Sequence, residues 1–288
     1  MRVIRTVGEM EEHRERVSGS VGLVPTMGYL HEGHVSIVRR ARTDDDHVVV
    51  SIFVNPTQFG PNEDFERYPR DEARDLAKLE SEGVDTVFAP SVEEMYPPGF
   101  DDWIEVSGPV TERLEGRHRP AHFRGVTTVV ARLFRTVRPD RAYFGQKDAQ
   151  QLRVIRRMVA DLGLPVDVIG LPTVRESDGL AMSSRNVYLS PEERQAALVL
   201  SRSLQRAQVM AAEGEWDAAR IRSEVEGMIQ QEPLVALDYV SVADDETLEE
   251  LAVVDRPALL LLAARAGKTR LIDNVALLPI DGLPAGRG

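Results

Sequence analysis

A chain of 288 residues is long enough for one large domain or two ordinary ones, and we expect two. The formal net charge of −12 argues against a nucleic-acid partner, because phosphate backbones are bound mainly by clustered cations. The absence of cysteine excludes disulfides, thiolate catalysis and thiolate metal ligands, and it favours a cytoplasmic location. The longest apolar run, Ala258 to Ala264, is too short to span a bilayer, and Met1 to Val7 hold no apolar segment of signal-peptide length, so we expect no membrane partner.

The amino-terminal part of the chain alternates predicted strands and helices. Residues 2–5 predict a first strand, and Thr6 is placed to cap a helix that ends near Arg16. Residues 21–26 predict a second strand, the apolar spacing after Gly33 predicts a helix over residues 34–43, and residues 47–54 form a continuous apolar run. Such a run is typical of a buried strand in a parallel sheet.

The segment Met27 to His34 joins the second strand to the following helix. Its glycines, Gly28 and Gly33, stand where free amide N–H groups and the helix dipole favour a phosphate. His31 and His34 are three residues apart, so both rings can face one ligand, although histidines here can also be surface or capping residues. Two histidines without a third ligand make a poor zinc site, and the glycines do not match the dinucleotide-binding fingerprint.

A polar loop, Asn55 to Asn62, leaves the predicted strand over residues 47–54 at the edge where α/β sheets bind ligands. The side chains of Asn55 and Gln58 carry both a donor and an acceptor, which suits them to orient a hydroxyl and a carboxylate. The alternative is that Asn55 and Pro56 simply make a turn.

The pattern predicts several further segments before residue 138. These are a helix over residues 71–82, a strand over 84–88, a short helix over 91–96, a short strand over 103–106, a loop over 107–121 and an amphipathic helix over 126–137. In the last helix the inward residues are expected to be Val130, Leu133, Phe134 and Val137.

A second strand-to-helix turn, Gly145 to Asp148, follows a predicted strand over residues 141–144 and opens a helix that ends at Leu162. Lys147 is a mobile point charge in a chain whose other cations are almost all arginine, and it suits a phosphate. Asp148 and Gln151 share one face of the helix start, although Asp148 can also be a plain helix-dipole charge.

The carboxyl-terminal part begins after a predicted strand over residues 165–169. Met182 to Asn186 form a polar loop whose two hydroxyls and one guanidinium suit the β- and γ-phosphates of a nucleotide, unless the loop is only a turn. Ser190, Pro191 and Glu193 are a strong helix start. Further predictions are helices over 191–213 and 217–231 and a flexible tail over 279–288. Strands over 236–242, 258–264 and 269–276 are expected to form a small antiparallel sheet.

Six motifs, in this order, resemble the pantothenate synthetase family of the nucleotidylyltransferase superfamily. They are Pro25-Thr26-Met27-Gly28, Phe53-Val54-Asn55-Pro56-Thr57-Gln58-Phe59, Tyr68-Pro69-Arg70, His122-Phe123-Arg124-Gly125-Val126, Tyr143-Phe144-Gly145-Gln146-Lys147-Asp148 and Met182-Ser183-Ser184-Arg185-Asn186. The resemblance extends to Asn274 and departs slightly at Ala121, where glycine is common. It implies an α/β fold, with a Rossmann-like ATP- and pantoate-binding domain over residues 1–175 and a smaller α+β lid domain over residues 176–288.

The resemblance also implies an activity. Pantoate attacks the α-phosphorus of ATP to give pantoyl adenylate and pyrophosphate, and β-alanine then displaces AMP to form pantothenate. The resemblance implies Mg²⁺ on the ATP phosphates, without protein ligands that the sequence assigns, and a homodimer, for which the apolar residues of the helix over 126–137 offer an interface. Hinging near residues 173–186 is expected to close the site.

Carried over by motif, the resemblance implies three sets of site residues. The catalytic residues are His34, His31, Lys147 and Arg185. The ATP-binding residues are Met27, Gly28, Tyr29, Leu30, His31, Glu32, Gly33, His34, Gly145, Gln146, Lys147, Asp148, Val174, Met182, Ser183, Ser184 and Arg185. The substrate-binding residues are Gln58, Gln151 and Asn55.

Three other functions share some of these features. Other small adenylyltransferases share the first motif, but they are usually shorter and have no reason to carry the Gln58 loop together with Gln151. An aminoacyl-tRNA synthetase is disfavoured by the length, the negative charge and the absence of a recognisable anticodon-binding module. A non-catalytic nucleotide sensor is disfavoured by the presence of His34, Lys147 and Arg185 together.

Overall fold

The computed structural model describes residues 1–61 and 63–277. The chain divides into two compact units. The first unit comprises Met1–Gln146 and Gln150–Val174, and the second comprises Lys147–Ala149 and the described residues from Arg175 onward. In the described part of the chain, no helix is long and apolar enough to cross a membrane.

The first unit is built on a six-stranded sheet in which all paired neighbours are parallel. Its strands are β1 (Arg2–Ile4), β2 (Val21–Thr26), β3 (His47–Ile52), β4 (Thr86–Phe88), β5 (Arg141–Gly145) and β6 (Asp167–Leu171), in the order β1-β4-β3-β2-β5-β6. The predicted α/β fold class with a Rossmann-like sheet is confirmed. The strand order changes direction between β2 and β5, and ligands of such sheets bind beyond the carboxyl ends of the strands at this point.

Helices cover both faces of the sheet because each face is apolar. The helices of the first unit are α1 (Val7–Arg16), α2 (Glu32–Asp44), α3 (Glu72–Ser81), α4 (Val92–Met95), α5 (Pro109–Glu112), α6 (Glu115–His118), α7 (His122–Val137) and α8 (Ala149–Leu162). Met10 of α1, Phe134 of α7 and Ile155 of α8 pack in one core cluster, and Val38 of α2 with Leu79 of α3 pack in another. Burial of such side chains stabilises the sheet by roughly 1.5–3 kcal/mol each.

Helix α7 differs from its prediction in two ways. It begins at His122, four residues earlier than expected, and its apolar residues belong to the core of their own chain. Val126, Leu133 and Phe134 are each at most 3% exposed, so they offer no surface to a second subunit. The expectation that they form a dimer interface is therefore wrong.

Two other predicted segments are corrected by the structure. Residues 103–106 form no strand, because the backbone of Ile104 bonds to helix side chains: its N–H donates to Thr128 Oγ1 at 3.0 Å, and its carbonyl accepts from Thr127 Oγ1 at 2.5 Å. The expected loop over residues 107–121 contains the two short helices α5 and α6. Helix α2 begins at Glu32 rather than at residue 34, which brings His34 into its first turn.

The second unit contains a three-stranded antiparallel sheet, as predicted. Its strands, in the order β7-β8-β9, are β7 (Val235–Asp244), β8 (Ala258–Ala266) and β9 (Thr269–Leu277), and its helices are α9 (Pro191–Ala212) and α10 (Ala218–Gln230). Ser190 Oγ accepts the Glu193 N–H at 3.2 Å while the Glu193 carboxylate accepts the Ser190 N–H at 2.9 Å, which confirms the predicted helix start. The predicted tail over residues 279–288 lies outside the described residues.

Candidate active site

The turn after β2 has an unusual backbone. Gly28 has φ of +79° and Tyr29 has φ of +51°, so two consecutive residues are left-handed. A Cβ on Gly28 would lie 3.1 Å from both an Asp75 carboxylate oxygen and the Ile52 side chain, which leaves little room for any other residue. The Gly28 N–H donates to Thr26 Oγ1 at 3.1 Å. Because a left-handed conformation is unfavourable for tyrosine, contacts from elsewhere must hold it.

Asp75 of α3 supplies two of these contacts. Its two carboxylate oxygens accept the N–H groups of Tyr29 at 2.6 Å and Leu30 at 2.7 Å. Asp75 is only 1% exposed, and this burial raises the pKa of its carboxyl, while the two backbone N–H groups oppose the rise. The sequence predicted helix α3 but did not single out Asp75, because its partners lie more than forty residues away.

The same helix holds the next carbonyl of the turn. The Leu30 carbonyl accepts hydrogen bonds from Arg74 Nη2 at 2.8 Å and Lys78 Nζ at 2.7 Å. The Arg74 guanidinium also lies over the Tyr29 ring, 4.5 Å from its centroid. Side chains of α3 therefore bind two N–H groups and one carbonyl of the turn.

The two histidines lie together at the start of α2. His31 is the N-cap residue, and its ring centroid is 4.0 Å from that of His34. The His31 N–H donates to His34 Nδ1 at 3.3 Å, so in the neutral ring Nε2 carries the proton. His34 thus presents an N–H donor beside a helix N-terminus. The carboxylate of Glu32 in the same turn pairs with Arg39.

Gln58 ends a 3-10 turn, Pro56–Gln58, after β3. Its side-chain oxygen accepts from Asn55 Nδ2 at 3.1 Å, and its Nε2 donates to the sulfur of Met27 at 3.3 Å. The amide that was predicted to bind a substrate therefore lies against the first residue of the turn that was predicted to bind ATP. This contact lies within the first unit.

Asn55 is occupied inside the protein. It is 1% exposed, and its Nδ2 donates to the Gly125 carbonyl at 3.1 Å as well as to Gln58. Its Oδ1 accepts from Tyr96 Oη at 2.8 Å and Thr57 Oγ1 at 2.9 Å. These contacts use both ends of the amide to orient Gln58.

The backbone of Gln58 is held from the other side by His122. His122 Nδ1 lies 2.9 Å from the Gln58 carbonyl, and its Nε2 lies 3.1 Å from Arg119 Nη1. Since arginine only donates, Nε2 must be the acceptor and Nδ1–H the donor, which requires a neutral ring. Burial, reinforced by the positive Arg119, lowers the pKa of His122 to about 4. Glu63 binds Arg119 through both carboxylate oxygens, at 2.8 and 2.7 Å.

Gly125 allows α7 to approach this 3-10 turn. A Cβ at Gly125 would lie 2.4 Å from the Thr57 carbonyl oxygen and 2.7 Å from the Gln58 nitrogen, both of which are backbone atoms. The sequence placed Gly125 in a motif without a stated role. The structure shows that the role is close backbone approach.

Two adjacent glutamines at the start of α8, Gln150 and Gln151, differ in their hydrogen bonds. Gln150 is structural: it accepts the Glu115 N–H at 2.9 Å and donates to two carbonyls, those of Val110 and Arg113. The side chain of Gln151 is half-buried and makes no hydrogen bond to any described residue, which leaves its amide available for a ligand. The Gln146 side chain accepts from Arg153 at 3.0 Å.

The second unit holds the other residues that were predicted to bind phosphate. Lys147 and Asp148 lie in a 3-10 turn, Gln146–Asp148, and the ammonium of Lys147 has no ion-pair or hydrogen-bond partner among the described residues. Ser183 Oγ accepts the Arg185 N–H at 3.3 Å at the start of a second such turn, Ser184–Tyr188. Ser184 is buried. These residues carry one ammonium, one guanidinium and two hydroxyls, one of them buried.

The predicted site residues therefore fall into two sets, each within one unit. The first unit holds Met27, Gly28, Tyr29, Leu30, His31, Glu32, Gly33, His34, Asn55, Gln58, Gly145, Gln146, Gln151 and Val174. The second unit holds Lys147, Asp148, Met182, Ser183, Ser184 and Arg185. The first set places the start of α2 and the Nε2–H of His34, which suit an anion, in the same unit as the Gln58 amide, which suits a carboxylate or hydroxyl. Such a combination is suited to transfer of a nucleotidyl group to an acid.

Comparison with known proteins gives a family for this arrangement. A family model described as pantoate-beta-alanine ligase matches residues 2–276. A protein named pantothenate synthetase from Roseiflexus sp. (strain RS-1) is 61% identical over 277 residues, which cover 96% of this chain and 99% of that protein.

Solved structures agree with the sequence comparison. The crystal structure of pantothenate synthetase from Thermus thermophilus matches with a TM-score of 0.93 and 52% identity, and the match covers 97% of this chain and 100% of that chain. The pantoate-beta-alanine ligase from Francisella tularensis, complexed with beta-gamma ATP and beta-alanine, matches with a TM-score of 0.79 and 33% identity, covering 96% and 97% of the two chains.

Proposed function

The chain belongs to the pantoate-β-alanine ligase family, whose members are also named pantothenate synthetases, and from this premise we propose how its residues carry out the reaction. The enzyme uses ATP to join pantoate to β-alanine, and the product is pantothenate. In the first step a pantoate carboxylate oxygen attacks the α-phosphorus of ATP, and the bond to pyrophosphate breaks. In the second step the amine of β-alanine attacks the carbonyl of pantoyl adenylate, AMP leaves, and the nitrogen loses a proton.

The observation that carries the assignment to residues is the contact between Gln58 and Met27, 3.3 Å long. Because Asn55 binds its side-chain oxygen, Gln58 is fixed beside Met27, the first residue of the segment Met27–His34 that is proposed to bind the ATP phosphates. An acid oriented by this amide is close to a nucleotide lying on the turn. Positioning of this kind supplies most of the catalysis in phosphoryl chemistry, which needs no protein nucleophile.

We assign the charge that develops on pyrophosphate to the start of α2. The Nε2–H of His34 and the backbone N–H groups of Glu32 and Gly33 are donors suited to negative charge. Pairing of Glu32 with Arg39 keeps that carboxylate from opposing the phosphates. His31 contributes as N-cap residue and as the neighbour that orients the His34 ring.

Asn55 acts as a positioning residue rather than as a substrate contact. Its amide groups bind Gln58, Gly125, Tyr96 and Thr57, and it is buried. Gln151, whose side chain is available, shares with Gln58 the binding of pantoate. Lys147 and Arg185 of the second unit neutralise the phosphates, and Val174 contacts adenine. We propose a hinge near residues 173–186.

Mg²⁺ is expected to bind as part of the substrate. No group of three or more histidine, aspartate or glutamate side chains among the described residues is arranged to hold a metal ion. Mg²⁺ in phosphate-transfer enzymes is bound largely by substrate phosphates and water. We therefore propose that MgATP is the form that binds. We also propose, from the family resemblance and the cysteine-free sequence, that the active enzyme is a cytoplasmic homodimer.

The experiment that tests the function separates the two steps. Purified enzyme is mixed with MgATP and pantoate, and pyrophosphate and AMP are measured before and after β-alanine is added. We expect pyrophosphate in a single-turnover amount with pantoate alone, and AMP with pantothenate only after β-alanine. Pyrophosphate release that requires a different acid would contradict the substrate assignment. A His34→Ala variant should lose about 100-fold in the rate of the first step, in the range expected for one transition-state donor.

A further inference from the structure

Strand β9 carries two consecutive buried polar residues, Asp273 and Asn274, in an otherwise largely apolar sheet. They are 4% and 5% exposed. Burying a carboxylate and an amide costs free energy unless both are hydrogen-bonded, so their partners indicate what they do. Neither residue belongs to the predicted site.

Asn274 binds the backbone of the lysine turn. Its Nδ2 donates to the carbonyl oxygen of Lys147 at 2.9 Å, across 127 residues of sequence. Both residues belong to the second unit. The contact fixes the peptide that carries Lys147 to a strand of the antiparallel sheet, while the ammonium stays unpaired among the described residues.

Asp273 binds Arg175, which precedes the loop over residues 182–186 that is also proposed to bind phosphate. Its two carboxylate oxygens accept from Arg175 Nη1 at 2.6 Å and Nη2 at 2.9 Å, and Oδ1 also accepts the Asn274 N–H at 2.8 Å. Arg175 pairs through its backbone with Ala181, and its Nη1 donates to the Gly179 carbonyl at 3.1 Å. These bonds close the loop immediately before Met182.

The far end of that loop is closed by a second asparagine. Asn186 Nδ2 donates to the Ala181 carbonyl at 3.1 Å and to a carboxylate oxygen of Glu176 at 2.7 Å. Residues 182–185 therefore lie between two anchored points, of which one leads directly to Asp273. Ser183 and Arg185 have little freedom to move relative to β9.

We propose that Asp273 and Asn274 are positioning residues that fix Lys147 and the Ser183–Arg185 loop to a single strand, so that the ammonium, the hydroxyls and the guanidinium act on the triphosphate as one rigid group. Neither residue touches the substrate. The inference rests on the proposed function, since it concerns the groups assigned to the phosphates. It gives the antiparallel sheet of the second unit a specific task in the first chemical step.

The proposal predicts how the loss of Asn274 affects catalysis. An Asn274→Asp side chain has nearly the same size, but it places a carboxylate oxygen against the Lys147 carbonyl in place of a donor. The repulsion displaces the lysine peptide, and misplacement by about 1 Å can reduce a rate by roughly 100-fold. We expect kcat for pyrophosphate formation to fall about 30- to 100-fold, while KM for pantoate, whose assigned residues lie in the first unit, stays within about 2-fold.

The experiment measures pyrophosphate formation, the melting temperature and the coupling to Lys147. The control is Ser241→Ala, a small change at a buried polar position of β7 in the same sheet, and it should retain wild-type kcat. If Asn274 acts through Lys147, a double variant that combines Asn274→Ala with Lys147→Ala should be no slower than Lys147→Ala alone. Asp273→Asn is the second test variant and should also lower kcat.

Two results would overturn the proposal. One is a wild-type kcat in a folded Asn274→Asp or Asp273→Asn variant. The other is multiplication of the losses from Asn274→Ala and Lys147→Ala, because independent penalties show that Asn274 does not act through the lysine. Failure of the proposed function itself would be seen separately, as absence of pyrophosphate formation by the wild-type enzyme.

Discussion

At the scale of single residues, buried polar groups hold the backbone of the candidate site. Asp75 keeps two left-handed residues in place by accepting two consecutive N–H groups. The sequence identified the visible ends of this arrangement, the glycines and His34, because strand-to-helix turns have a recognisable pattern. It could not identify Asp75, since a carboxylate on a charged helix looks the same whether it faces water or a distant backbone.

Replacing Asp75 by asparagine should damage ATP binding more than it damages the fold. The asparagine amide would offer only one acceptor, and its NH₂ would face a backbone N–H, leaving a buried donor unsatisfied at a cost of about 1–3 kcal/mol. We expect KM for ATP to rise at least about 10-fold, which corresponds to ~1.4 kcal/mol. Steady-state kinetics and urea unfolding measure the two effects. Glu80→Gln, an equal charge change at an exposed position of the same helix, is the control; equal kinetics in both variants would contradict the role of Asp75.

His122 predicts a pH dependence of stability. Its pKa is lowered from 6.5 to about 4, so between these values the unfolded chain binds more protons than the native protein. Stability from this group is therefore complete above pH 6.5 and decreases as the pH falls toward 4, by up to roughly 3 kcal/mol. The charged groups facing the ring are Arg119, Glu63 and Glu115. Urea unfolding between pH 7.5 and 4.5 should show a steeper loss for the wild-type protein than for His122→Asn, and equal slopes would count against the neutral ring.

At the scale of elements, packing determines which local patterns survive. The apolar runs of β2 and β3 and the Ser190 helix start were predictable because local sequence and tertiary contacts favour the same structure. The segment at Ile104 was not, because side chains of α7 take its backbone hydrogen bonds. Its apolar residues predict burial correctly, but they do not specify the partner of the backbone.

The approach of α7 to the Gln58 turn predicts a sharp effect of one methyl group. Gly125→Ala would place a Cβ 2.4 Å from the Thr57 carbonyl oxygen, and because backbone atoms cannot rotate away, the 3-10 turn that carries Gln58 must shift. We expect at least a 10-fold loss in kcat/KM for pantoate and a lower melting temperature. The matched control is Gly227→Ala in α10, where an added Cβ meets nothing within 4 Å and should stabilise the helix by about 0.5–1 kcal/mol. Wild-type activity of Gly125→Ala would show that the turn does not need this position.

The backbone at the start of α7 explains why glycine is common in the family at position 121. Ala121 has φ of +66°, a left-handed conformation that glycine adopts without strain. Ala121→Gly should therefore be neutral or stabilising, by up to about 1 kcal/mol, despite the general cost of glycine. Chemical denaturation would measure this, and a clear loss of stability would contradict the strain.

At the scale of the whole molecule, the sequence predicted the parallel sheet, the antiparallel sheet and the family. Each of these predictions rests on several strands or motifs along the chain, so an error at one segment did not change the predicted fold or family. The sequence could not predict the contacts that join distant segments within one unit, such as those of Asn274 with Lys147 and of Asp75 with Tyr29. Their information lies in the fold and not in any local pattern.

The enzyme activates the acid by transferring AMP to it rather than phosphate, and the fate of the carboxylate oxygen distinguishes the two routes. The most direct measurement uses pantoate labelled with ¹⁸O in its carboxylate, with MgATP and β-alanine, and mass spectrometry of the nucleotide product. Attack of the carboxylate on the α-phosphorus predicts that one ¹⁸O atom per turnover appears in the phosphate of AMP. Unlabelled AMP, or ADP with labelled inorganic phosphate, would contradict the adenylate and with it the roles assigned to His34 and Gln58.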